Sequence, residues 1–172
     1  MAKRRELDPA PVGVPSVRDR VADWLKESGN FSNFQKLPNM EFAIQGSWPR
    51  AGVSPNPLGI FLVKPETESA IAVIANVGLA PNHQAALQRL DPDRRAEFLR
   101  DIQLGIIFHC GVAFQIDPKT QQLVSVQLSE EVYYSDLPRR EDVYAAMKAV
   151  FHAFVYVSLK LEGLPASPYL AP

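Results

Sequence analysis

ANVGLAPNHQAALQRLDPDRRAEFLRDIQLGIIFHCGVAF, residues 75–114, changes its hydrophobic period twice, and those changes decide the fold. Ala75 and Val77 continue a run begun by Ile71 and Val73 and alternating with Ala72, Ile74 and Asn76. A period of two marks a strand. Pro81 suits a first helical position, and residues 82–90 read as a short helix. Asp91-Pro92 is a cap followed by a first-turn proline, and it starts a longer helix running to about Cys110. Phe98, Leu99, Ile102, Ile106 and Cys110 share one face, while Ile107 and Phe108 widen it. That helix is covered on more than one side. Val112 and Phe114 restart the period of two.

Downstream, Ile116 completes this strand, Asp117-Pro118-Lys119-Thr120 turns the chain, and Val124, Val126 and Leu128 alternate on the return. The last helix starts near Pro138 and stops at Gly163, about 24 residues or roughly 36 Å. It carries two apolar stripes, Met147, Val150, Phe154, Val157, Leu161 and Tyr144, Phe151, Val155, Leu159, so it packs on two things. Upstream, Ser16 and Asp19 stand in capping-box spacing before Val17, Val21, Trp24 and Leu25, and Gly29 ends that helix. Met40, Phe42, Ile44 and Trp48 alternate with polar or small residues as a strand. Leu58–Val63 is a short apolar strand closed by the turn Lys64–Glu68. The order is α-β-β-β-α-β-β-α with the middle helix broken once, an α+β fold with a five-stranded, mainly antiparallel sheet and helices packed over it. Residues 1–15 read as a tail, 16–163 as a single α+β domain and 164–172 as a Pro-rich tail.

Composition narrows the function. At 172 residues the chain fits one domain with a sizeable core. A formal net charge of −1 offers no field for nucleic acid or an anionic membrane. No apolar run approaches the roughly 18 residues of a membrane span. The basic start, Lys3-Arg4-Arg5, has no apolar stretch behind it and does not read as a signal peptide. The single cysteine, Cys110, rules out an internal disulfide and fits a reducing compartment, so a cytoplasmic location is expected. The 15 prolines fall mainly at the ends and between Pro49 and Pro57, marking loops.

The segment Ala75–Phe114 resembles a group of uncharacterised prokaryotic proteins with a type III secretion chaperone-like fold. The likeness rests on the turn Leu79-Ala80-Pro81-Asn82-His83 and on the spacing of Leu87, Leu90, Arg95, Phe98 and Leu99 in the helices that follow. It extends over roughly residues 16–162. The resemblance implies five antiparallel strands under helices in the order read above. It also implies a homodimer that binds an unfolded segment of another protein, although chaperones of this fold are often acidic and this chain is nearly neutral.

Few residues carry chemistry. His109-Cys110 lacks a second cysteine or a spaced histidine pair, so no metal or cofactor is expected there. Cys110 packs, and His109 stands at a helix C-terminus, where a cation is favoured. His83 follows a turn with no nucleophile beside it. His83 and His109 are the residues an enzyme of unrecognised type would have to use, and the balance is against an enzyme. His152, between aromatic residues, reads as an interior or interface histidine. Glu130-Glu131 and Arg139-Arg140 flank Tyr133-Tyr134. Neighbouring strand residues point to opposite faces, so these read as a solvated strand end and a charged helix start. What stands out is an apolar surplus over what one sheet and its helices can hide. It points to a protein- or peptide-binding, chaperone-like module that forms a homodimer, with Phe42, Ile44, Trp48 and Phe61 as candidate binding surface. A purely structural subunit of a larger assembly is the other reading.

Overall fold

The computed structural model describes residues 15–50, 52–54 and 57–164. The expected tails therefore lie outside the described residues, apart from Pro15 and Leu164, and Leu164 packs on the core. The elements are α1 (Val17–Glu27), β1 (Phe31–Gln35), β2 (Met40–Trp48), β3 (Leu58–Pro65), β4 (Ala70–Gly78), α2 (Pro81–Arg89), α3 (Pro92–Ile106), β5 (Gly111–Ile116), β6 (Leu123–Tyr133) and α4 (Arg140–Glu162). The sheet has six antiparallel strands in the order β1-β2-β3-β4-β6-β5.

The strand that the sequence hides is β1, so the sheet has six strands and not five. Its pairing with β2 slips between Phe31 and Asn33. A bulge puts an odd and an even residue on one face and erases the period of two. Phe31 pairs with Gly46 and Phe34 with Ile44, and the two rings meet edge to face at 5.2 Å.

Local signals act as read. The Ser16 hydroxyl accepts from the Asp19 amide and Asp91 accepts from Arg94, so α1 and α3 are both capped. Gly29 sits at φ +73°, where a side chain would be strained. Asp117 accepts from the amides of Lys119 and Thr120 and closes the β5–β6 hairpin.

The helices lie on one face of the sheet. Ile44, Leu62 and Val73 stand in line across β2, β3 and β4, all buried. Above them lie Val21 and Leu25 of α1, Ile102 and Ile106 of α3, and Met147, Val150 and Val157 of α4. Burying an aliphatic side chain fully contributes about 1.5–3 kcal/mol, so this layer holds the fold. The second stripe of α4 is covered within the chain only in its first half, at Tyr144 and Phe151. Tyr144 donates to the Trp24 carbonyl at 2.8 Å and its ring packs near Trp48. On the other flank Tyr156 rests over Gly105, and Lys160 reaches Asp101. Val155 and Leu159 point outward, as do Leu104, Ile107 and Phe108 at the end of α3. No helix among the described residues is long and apolar enough to cross a membrane.

Candidate functional site

Odd and even positions on the central strands go to different faces, and this separates the residues first grouped as one surface. Phe42 and Ile44 are buried beneath the helices and are closed to any partner of the folded chain. Trp48 is half-buried at the end of β2, where Ser28, Asn30, Arg50, Val53 and Tyr144 join it around a cavity of about 290 Å³. Phe61 lies on the opposite face, paired with Gln45 on one side and Ile74 on the other. Of the four, Phe61 alone lies on that opposite face, while Trp48 stays half-buried beside its own cavity.

That opposite face bears no helix among the described residues. Across it run Gln45, Phe61, Ile74 and Ser129, and beside them Gln35, Ala43, Val63, Ala72 and Glu131. Apolar side chains fill the middle strands, β2 to β4. Uncharged amides border them: Gln35 donates to Gln45 at 3.0 Å, and Gln115 to Gln127 at 3.3 Å. An apolar centre with a neutral hydrogen-bonding rim is the composition of a protein–protein contact, where charge is depleted from the core. The sequence signal was present in the alternation of Phe61, Val63, Ala72 and Ile74. It could not be assigned a face without the register.

A second concave feature lies where β6 outlasts β5. Pairing between them begins at Gly111 and Ser129, so Glu130–Tyr133 have a strand neighbour, β4, on one side only. Tyr134 donates to Ser69 in register with β4, which turns the amides and carbonyls of Glu131 and Tyr133 toward the free edge. Ala145, Ala146 and Ala149 of α4 form the wall, and the cleft encloses about 430 Å³. Glu130 and Asp142 line it on the helix side with one guanidinium, Arg139, which is already bound to Asp142 at 2.7 and 3.0 Å, while the Glu131 carboxylate turns to the open face and accepts from the Tyr133 hydroxyl. Desolvation and the neighbouring Glu131 push the Glu130 carboxyl above its ordinary range.

The histidines are not brought together. His83 lies in the first turn of α2, and His109 is exposed in the turn between α3 and β5. Among the described residues no carboxylate bonds to either ring, and no three His, Cys, Asp or Glu side chains converge on a metal position. His152 is exposed on the outer side of α4, not interior, and rests near Phe151. Cys110 is buried, and desolvation, with the nearby charge of Glu130, pushes its thiol up to about 11. It stays protonated near neutrality and is a packing residue, not a nucleophile.

The model of a family described as uncharacterized conserved protein (DUF2299) matches residues 17–161, nearly the whole folded region. The chain belongs to the DUF2299 family. No curated protein matches it. A solved relative in fold is the crystal structure of an uncharacterized protein from Methanothermobacter thermautotrophicus. It superposes with a TM-score of 0.71 at 22% identity, over 86% of this chain and 97% of that one. At that identity the likeness speaks for the fold: an α+β domain with an open antiparallel sheet.

Proposed function

We propose that this DUF2299 protein is a protein-binding module that pairs with a second copy of itself through the uncovered sheet face. The observation that carries the reading is the half-buried apolar centre of that face, Phe61, Ala72 and Ile74 around a buried Val63, bordered by amides and bearing no helix among the described residues. A second copy is the favoured occupant because the face is nearly neutral. Its amides both donate and accept, so two copies related by a two-fold axis meet without like-charge repulsion. Six strands at about 4.8 Å spacing give a face wide enough for the roughly 800 Å² per partner of a standard interface. Two such faces would stack about 10 Å apart as sheets do.

The chaperone-like role belongs to the same proposal: a dimeric scaffold that holds an extended segment of another protein. A reducing, cytoplasmic setting suits its one buried, protonated cysteine. Sedimentation equilibrium of the full chain tests the pairing. The expected mass is twice that of the 172-residue chain. A single-chain mass at every concentration would count against the reading.

A further inference from the structure

We infer that the free edge of β6 at Glu130–Tyr133 is a docking groove for a cationic, extended peptide segment, which adds a strand beside β6. The inference rests on the protein-binding reading above but not on self-association.

Three features converge on this occupant. The first is the backbone. Glu131 and Tyr133 turn their amides and carbonyls outward, and among the described residues no backbone group takes them. An unpaired edge of this kind accepts a strand by main-chain hydrogen bonding. Had β5 continued toward its N-terminus it would have filled this place, but the chain instead turns through His109 and Cys110 into α3.

The second is the shape. A strand added here directs alternate side chains to the two sides of the sheet. Those on the helix side enter the cleft of about 430 Å³ walled by Ala145, Ala146 and Ala149. Larger residues at these positions would close it.

The third is the charge. Two carboxylates, Glu130 and Asp142, face the helix side of the cleft, and its one arginine is already paired with Asp142, which leaves the Glu130 charge unanswered. Glu130 has no hydrogen-bond or ion-pair partner among the described residues. In the same neighbourhood α3 ends without a basic residue in its last turn, so the negative end of its dipole is uncompensated. A lysine or arginine on the incoming strand would answer both, whereas an acidic segment would be repelled.

The probe is a fluorescein-labelled peptide of alternating lysine and valine, titrated by anisotropy into the full chain at physiological salt. Saturable binding is expected, at least about tenfold tighter than for a glutamate–valine peptide of the same length. Methylating alternate backbone nitrogens of the lysine peptide keeps its charge but removes its donors, and should weaken binding by a similar factor. Ala145→Trp, at an exposed helix position, should do the same by filling the cleft. Equal affinity for the methylated peptide, or no saturation, overturns the inference even if Ala145→Trp fails to fold. Because the groove lies apart from Phe61, the titration repeated on Phe61→Glu should be unchanged. Failure of dimerisation and failure of the groove are thus read separately.

Discussion

Phe61→Glu should leave the fold standing and abolish self-association. Phe61 is only partly buried within one chain, packs on neither α1 nor α4, and lies outside the core beneath the helices. A glutamate there costs the single chain little, within about 1 kcal/mol for a change off the core. In a face-to-face pair the same substitution puts a carboxylate in each half of an apolar contact. A two-fold axis imposes that cost twice, and desolvating each unpaired charge costs several kcal/mol. At about 1.4 kcal/mol per factor of ten, the dissociation constant should rise at least roughly a hundredfold. Sedimentation of the variant should then give one-chain mass, with a cooperative unfolding transition whose midpoint, unlike that of the parent chain, does not depend on protein concentration. A variant that still sediments as a pair would place the contact elsewhere. The exposed Leu104, Ile107 and Phe108 at the end of α3 would be the next surface to consider.

The second large effect is structural and concerns Gly46. A methyl group at this position would stand 2.6 Å from the backbone oxygen of Asn30. That oxygen accepts from the Ser47 amide at 3.0 Å, while the Asn30 side-chain amide donates to the Ser47 carbonyl at 2.6 Å. Asn30 is itself buried. No flexible side chain can yield, so Gly46→Ala must displace backbone and break the join between α1 and the start of the sheet. The expected loss is about 2–3 kcal/mol, near the upper end for overpacking. It would be read as a lower urea midpoint at unchanged slope. Gly59→Ala is the matched control, because nothing lies within 4 Å of its added methyl. It should be neutral. Equal midpoints for the two variants would contradict the close approach at Gly46.

The register that sets these two effects also explains what could and could not be seen in the sequence. The alternations of Met40–Trp48, Ile71–Val77 and Val112–Ile116 place strands, and the caps at Ser16 and Asp91 place helices, because each signal is local. β1 escapes because its bulge brings Phe31 and Phe34 to one face at a spacing no strand period predicts. Phe42, Ile44 and Phe61 look alike as apolar strand residues. Pairing of Ile44 with Leu62 is what sends Phe61 to the other face, and pairing between strands is not written in either one alone. The groove is hidden for the same reason. Glu130-Glu131 reads as a solvated strand end, and becomes a concave edge because β5 starts opposite Ser129 and leaves the rest of β6 unpaired. The two apolar stripes of α4 are legible in the sequence, but how much of each the rest of the chain covers is not. Tyr144 packs against α1 and Trp48 and Phe151 against the core, while Val155 and Leu159 stay exposed, and the sheet face opposite the helices bears none among the described residues.

The claim that a second copy covers the sheet is tested most directly by a nitroxide attached to Gln45→Cys, on the amide rim beside Phe61. Cys110, buried and protonated, should not take the label in the folded chain. Dipolar coupling between labels on two copies, lost when Phe61→Glu is added, is the predicted result. Labels that show no coupling in a sample known by its mass to be paired would mean that the copies meet through another surface, and the account of the open sheet would be wrong.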